Sequence, residues 1–249
     1  MKLTVLGSGT MMPTKKRYPS GYLLDAGSTR VLLDCSAPAI ARLVDHGVPF
    51  REIEALCITH FHTDHFGGFL PFVHALWVDN LMTKRQASPL TVLGPRTTEE
   101  RWKKLREVSW PEPETFPLTF IEGPATTSLG SLTIESFDVK HVPFFSSLGY
   151  RLTSGGKTLV YTGDIGSDHP FDDLVGRVQG ADVLLIEAGA TKPSPNHFTI
   201  EQILKLQEVS GVKRIIATHI REQNLPLIQS KVAGQHAVTI AEDGMTVEI

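Results

Sequence analysis

The sequence predicts an α/β protein: two sheets with helices on their outer faces. Three observations lead there. The elements run as strands, helices, strands again, and then strand alternating with helix, an order that two helix-covered sheets accommodate. Four or five separate strands end in His, Asp or Glu, so chemistry-bearing residues from distant parts of the chain collect at strand ends. The densest such stretch is Thr59-His60-Phe61-His62-Thr63-Asp64-His65-Phe66-Gly67-Gly68, directly after the apolar run Leu56-Cys57-Ile58.

The bulk properties set limits on function. The chain has 249 residues, 41% of them hydrophobic, as expected for a folded globular protein read as one domain over 1–249. A net charge of −3 supplies no global basic field that would demand nucleic acid. Cys35 and Cys57 end apolar runs and read as reduced core residues of a cytoplasmic protein, not as a disulfide. No apolar run is long enough to span a membrane, and Met1–Gly7 reads as a strand and a glycine turn, not a signal peptide.

In chain order, residues 2–6 form the first strand, followed by the loop Gly7-Ser8-Gly9-Thr10. That loop lacks the helix and Lys-Ser/Thr of a P-loop. Met11–Pro19 is a polar, basic loop carrying Lys15, Lys16 and Arg17. Gly21–Asp25 and Arg30–Asp34 form a hairpin. Asp34 ends an apolar strand, so its carboxylate is either a structural cap or an anchor behind metal ligands. Residues 37–46 are helical up to Gly47, and Ala55–Thr59 is the strand that delivers the histidine-rich stretch. Asp64 is placed as the N-cap of a helix over 66–82, which is apolar almost all round and therefore deeply buried or at a homodimer interface. His74 within it is left outside the site. Leu90–Leu93 is a strand, and Thr97–Val108 is a helix whose Arg101, Lys103, Lys104 and Arg106 read as a solvated face. Trp110–Pro117 is a proline-rich loop.

Strands return at Leu118–Ile121, Leu132–Val139, Leu148–Leu152 and Thr158–Tyr161. His141 and Asp164 each follow one of them. Phe171–Val178 is a helix and Ala181–Glu187 a buried strand ending in Glu187. Asn196-His197-Phe198 precedes a helix over Thr199–Val209 with a Thr199/Gln202 capping box. Lys213–Thr218 is a strand ending at His219. Residues 224–232 are helical, and 237–249 is a final hairpin turning at Asp243-Gly244.

Histidines and carboxylates gathered at strand ends suit a metal of the Zn²⁺ type, with Mn²⁺ or Fe as alternatives. His60, His62 and His141 supply three nitrogens to one ion. Asp64, His65 and His219 supply one oxygen and two nitrogens to a second, and Asp164 bridges the two. Two ions can activate water and clamp both oxygens of a displacement, which suits hydrolysis of phosphoesters, amides, esters or lactones.

The pattern His60-x-His62-x-Asp64-His65, with later His141, Asp164 and His219, resembles the metallo-β-lactamase superfamily. That resemblance implies a four-layer αββα sandwich and a dinuclear hydrolase. Leu6-Gly7-Ser8-Gly9-Thr10 with Pro13, Arg17 and Ser20-Gly21, then Leu32-Leu33-Asp34-Cys35, resemble the start of its ribonuclease Z-like branch. His141-Val142-Pro143 with Leu148-Gly149-Tyr150-Arg151, and Glu187-Ala188 with His197-Phe198-Thr199, resemble its later loops. The resemblance implies that His197 protonates the leaving oxygen, that Glu187 polarises it or a neighbour, and that Asp64 has a catalytic as well as a ligand role. Only a short hairpin separates Tyr150 from Asp164, where tRNA-processing members carry a long Gly/Pro-rich arm. The expected substrate is therefore a small or short nucleotide-like phosphodiester and not tRNA. The alternatives are a lactonase or thioesterase of the same superfamily and a non-catalytic metal module, against which the complete ligand set argues.

Overall fold

The computed structural model describes residues 1–84, 89–109 and 116–249. The first sheet contains β1 (Lys2–Gly7), β2 (Gly21–Ala26), β3 (Thr29–Cys35), β4 (Ala55–Cys57), β5 (Leu90–Gly94) and β6 (Leu118–Glu122). The second contains β7 (Thr126–Leu129), β8 (Leu132–Val139), β9 (Ser147–Ser154), β10 (Lys157–Tyr161), β11 (Val183–Glu187), β12 (Arg214–Thr218) and β13 (Val238–Ile240). The last strand, β14 (Thr246–Glu248), returns to the first sheet, where it lies antiparallel to β1. The spatial orders are β14-β1-β2-β3-β4-β5-β6 and β13-β12-β11-β10-β9-β8-β7.

Apolar runs become strands buried on both faces. Tyr22, Leu24, Val31 and Leu33 point between the sheets, together with Leu132, Tyr150, Tyr161, Val183, Leu185 and Ile216 of the second sheet. Leu23 and Leu32, on the alternate face, pack beneath α1 (Ala37–Asp45), α3 (Phe69–Thr83) and α4 (Thr98–Ser109) through Leu43, Phe72 and Trp102. Leu184 and Ile186 do the same beneath α5 (Phe171–Val178), α6 (Ile200–Ser210) and α7 (Leu225–Val232), through Leu174, Ile203 and Ile228. The architecture is the expected four-layer αββα sandwich. Strands β3 to β6 are mutually parallel, as are β10 to β13. Parallel pairing puts their carboxyl ends, and the loops that leave them, along one rim of each sheet.

Several local expectations need correction. The expected 237–249 hairpin is absent: β13 pairs parallel with β12 and β14 pairs with β1. The turn at Asp243-Gly244 thus carries the chain from one sheet to the other, because each sheet edge offers β-pairing that a two-stranded hairpin would lack. Strand β7, short and polar, escaped a reading based on apolar runs. The helix expected over 66–82 is divided into α2 (Thr63–Phe66) and α3, with Gly68 between them. A Cβ at Gly68 would stand 2.4 Å from the Ser36 carbonyl oxygen, so the close approach requires glycine. His62, not Asp64, occupies the N-cap position of α2. Arg17, in the expected polar, basic loop, is itself buried and donates to Ser8 Oγ (2.9 Å) and the Ala241 carbonyl (2.8 Å). Residues 110–115 of the expected 110–117 loop lie outside the described residues, and Phe116 is buried against the outer face of the first sheet. No helix among the described residues is long and apolar enough to cross a membrane.

Candidate metal centre

The segment after β4 stays extended through His62, so His60 and His62 fall on one side. His60 Nε2 and His62 Nδ1 are 3.0 Å apart, and His141 Nε2, from the end of β8, is 3.2 Å from His62 Nδ1. Two nitrogens on one tetrahedral Zn²⁺ would stand about 3.3 Å apart. Asp164, beyond β10, turns one carboxylate toward both groups of histidines. Its Oδ2 is 3.9 Å from His60 Nε2, 3.8 Å from His141 Nε2 and 3.5 Å from His219 Nε2, and its Oδ1 is 3.4 Å from His65 Nε2. Asp64, within α2 and not at its cap, directs Oδ2 to His219 Nε2 at 3.3 Å and to His65 Nε2 at 3.9 Å. The expected ligand-type residues therefore gather in two groups, His60/His62/His141/Asp164 and Asp64/His65/His219. His197 also comes within reach of Asp164 and His219.

The outer nitrogens of His60, His65 and His141 are held by partners behind them. Asp34 has φ of +54°, a strained value for a residue with a side chain, and its carboxylate is buried. It accepts hydrogen bonds from the Thr59 N–H (2.7 Å), Thr59 Oγ1 (2.8 Å), the Tyr161 hydroxyl (2.6 Å) and His65 Nδ1 (2.6 Å). With its proton committed to Asp34, Thr59 Oγ1 can accept from His60 Nδ1 at 3.0 Å. His141 Nδ1 donates to the Asn196 carbonyl at 2.6 Å. Each arrangement fixes the tautomer that leaves Nε2 free for a ligand bond. Gly163, at φ +59°, makes this packing possible: a Cβ there would lie 2.6 Å from Thr59 Cβ.

The charge balance fits divalent cations. Burial, with the neighbouring imidazoles, lowers the pKa of His60 well below the usual histidine value, and burial lowers those of His62 and His141, the latter to about 4. All three are thus held as the neutral imidazoles that ligation requires. Burial would also strip His65 of charge, but Asp164, Asp34 and Asp64 override it and raise its pKa to about 10. Three carboxylates converge there on one imidazole, an excess of negative charge that a cation would meet. Burial would raise Asp64, yet His219 and His65 hold its pKa well below the carboxylate range. Among the described residues, the buried His65 Nε2 and Asp164 Oδ1 have no hydrogen-bond partner, although both point into the cluster. The donor set therefore fits a pair of borderline or hard divalent ions.

Glu187 ends β11 beside this cluster. Its Oε1 accepts from His197 Nδ1 (2.9 Å), the Phe198 N–H (3.2 Å) and the Ile165 N–H (3.2 Å), and its Oε2 accepts from the Gly189 N–H (2.7 Å). Burial pulls the His197 pKa down, but the hydrogen bond and charge of Glu187 prevail and raise it to about 9. With Nδ1 engaged, Nε2 is the ring's other donor or acceptor. The Thr199/Gln202 capping box forms, and Ser167 Oγ donates to Gln202 Oε1 at 3.0 Å, tying the His197 segment to the loop after Asp164. A cavity of about 300 Å³ opens over the cluster and is also lined by Thr10, Met11, Met12 and Arg221. Sequence reasoning missed these four. Only Arg221 carried a signal, its place two residues after His219. Arg101, expected in a solvated face, lies 4.1 Å from the centre of the Phe61 ring.

A family model described as "Beta-lactamase superfamily domain" matches residues 29–220. The chain is 28% identical to the ribonuclease Z of Mycobacterium bovis, over 88% of this chain and 85% of that one. Among solved structures, the metallo-beta-lactamase fold protein YhfI of Bacillus subtilis superposes with a TM-score of 0.84 at 24% identity, covering 100% of this chain and 99% of that one. The short form of human tRNase Z gives a TM-score of 0.79 at 21% identity, with coverages of 100% and 99%.

Proposed function

The chain belongs to the beta-lactamase superfamily, and from that premise we propose that it is a dinuclear, metal-dependent phosphodiesterase of the ribonuclease Z-like type, acting on a small or nucleotide-like diester. The observation that carries this reading is the pair of ligand groups meeting at Asp164, with the Glu187-held His197 beside them. In it, His60, His62 and His141 would hold one ion and Asp64, His65 and His219 the other, with Asp164 as the ligand shared by both. Zn²⁺ suits this mixed nitrogen and oxygen set, with Mn²⁺ or Fe as alternatives. The ions, when bound, supply Lewis acidity toward the phosphoryl oxygens and lower the pKa of water.

The chain's own residues do the rest. Asp34 keeps His65, and through Thr59 His60, in the orientation that presents Nε2. Asp64, besides its ligand role, lines the cavity, where its carboxylate would accept a hydrogen bond from the attacking water. His197 is kept protonated by Glu187 and gives a proton to the departing alkoxide oxygen, the general-acid role. That demand favours a phosphodiester with an alkyl leaving group over the lactone or thioester alternative. The small cavity and the lack of a long arm between Tyr150 and Asp164 support a small substrate in preference to tRNA. The return of β14 to β1 supports one hydrolase domain over 1–249. The buried free thiols of Cys35 and Cys57 support a cytoplasmic location. A homodimer through the exposed end of α3 completes the reading.

Elemental analysis of the purified protein is expected to give close to two transition-metal ions per chain. Bis(p-nitrophenyl) phosphate is expected to be cleaved in preference to lactone and thioester panels. His60→Ala and Asp164→Ala should each lower metal content and abolish hydrolysis. A protein that takes up no metal after reconstitution, or that turns over only lactones or thioesters, would refute the assignment.

A further inference from the structure

His219 adopts φ of +54°, which turns the chain sharply at the end of β12. The next residues are then pinned. The Ile220 N–H donates to the Ser8 carbonyl (3.2 Å), the Asn224 N–H to the Arg221 carbonyl (2.9 Å), and Asn224 Nδ2 to the Gly189 carbonyl (3.3 Å). Arg221 is thereby fixed at the mouth of the 300 Å³ cavity that His62, Asp64, Asp164, His197 and His219 also line.

Among the described residues the guanidinium has no neutralising partner. Arg30, Arg42, Arg51 and Arg177 all pair with carboxylates. Arg221 is exposed and has no ion pair, side-chain hydrogen bond or ring contact among the described residues. It makes no ion pair with Asp64 or Asp164, so it stands apart from the carboxylates that line the cavity. Met11 (54% exposed) and Met12 (78% exposed) line the same cavity and offer adaptable apolar surface to whatever joins the two anionic positions.

We propose that Arg221 is the specificity-determining residue of a second anion subsite, and that the preferred substrate is a phosphodiester carrying a further phosphate on the portion flanking the scissile bond. The proposal rests on the phosphodiesterase reading above. A planar fork of donors is suited to bidentate grip on a phosphate, which a lysine would meet only as a point charge. A cyclic mononucleotide has one anionic group and leaves Arg221 unused. A nucleotide with two phosphates engages both positions.

The test compares thymidine 5′-(p-nitrophenyl phosphate) with the same compound bearing a 3′-phosphate. In parallel, calorimetry measures binding of thymidine 5′-monophosphate and thymidine 3′,5′-bisphosphate to the metal-loaded protein. The wild type is expected to show a KM and a Kd roughly tenfold lower for the member of each pair with the extra phosphate, the scale of one charge-assisted hydrogen-bonded contact. Arg221→Gln should erase that difference, and Arg221→Lys should keep part of it, with metal content equal to wild type in both. No preference in the wild type, or a preference that survives in Arg221→Gln, overturns the subsite. If Arg221→Gln does not fold, an Arg221→Lys protein with the full preference and unchanged Kd counts against the fork. Turnover of lactones with neither diester cleaved overturns the phosphodiesterase reading itself, an outcome distinct from the loss of the subsite alone.

Discussion

His197 is oriented by one hydrogen bond to Glu187, a buried carboxylate that accepts four in all. Glu187 is 1% exposed, yet besides His197 it is satisfied by the backbone N–H groups of Ile165, Phe198 and Gly189. Removing the imidazole therefore does not strand the carboxylate, and His197→Ala should fold with both metals retained. A positioned acid contributes typically ~10²–10⁴-fold when the leaving group is a poor one. The variant is expected to lose that much on alkyl diesters and far less on p-nitrophenyl diesters, because p-nitrophenolate departs without protonation. Equal losses on both would reassign His197 to binding the phosphoryl oxygens, and a fall in metal content would make it a ligand.

At the scale of elements, the parallel half of the second sheet is pinned at its start by Asp182. This carboxylate accepts from the Thr158 N–H (3.0 Å) at the head of β10 and pairs with Lys213 (2.8 Å), just before β12, and with Lys157 (3.6 Å). The Lys213 and Thr158 hydrogen bonds lower its pKa from 3.8 to about 2. A carboxylate whose folded pKa is depressed stabilises the fold above its unfolded pKa and loses that contribution as pH falls through the folded one. Asp182→Asn should therefore be less stable than wild type at pH 7, by ~1 kcal/mol or less for so exposed a network. The gap in denaturant midpoint should close between pH 4 and pH 2. A gap that persists unchanged at pH 2 would show that the hydrogen-bond geometry, not the charge, does the stabilising.

Across the whole molecule, α3 has a buried face and an exposed end. Phe69, Phe72, Val73 and Leu76 are buried under the first sheet's outer layer, while Val78, Leu81 and Met82 are 42%, 51% and 80% exposed. The proposed homodimer would bury these large apolar groups at one helix end. Light scattering at micromolar concentration is expected to give twice the chain mass. Leu81→Glu with Met82→Lys should return the monomer, with metal content unchanged. A wild-type monomer mass would mean that this surface stays in water.

The primary structure alone carried the layering and the set of histidines and aspartates that the fold brings together. Short apolar runs bounded by turn residues suit strands buried on both faces, and histidines two apart in extended chain point the same way. So the sandwich, and the residues from His60 to His219 that the fold gathers, were readable in advance. What the chain order could not decide was which partners meet across long separations. Asp34 and Tyr161 meet at 2.6 Å from 127 positions apart, and Ser8 and Asp243 at 2.7 Å from 235 apart. Arg17 looked like part of a polar, basic run but lies buried where the loop from 8 to 19 meets the returning chain. The final segment looked like a hairpin and instead joins two sheets. Local pattern reports a residue's own preference for water, strand or helix. Which open sheet edge or unsatisfied polar atom lies nearest is settled only when the two sheets close on each other, and the same closure brought Arg221 to the mouth of the cavity.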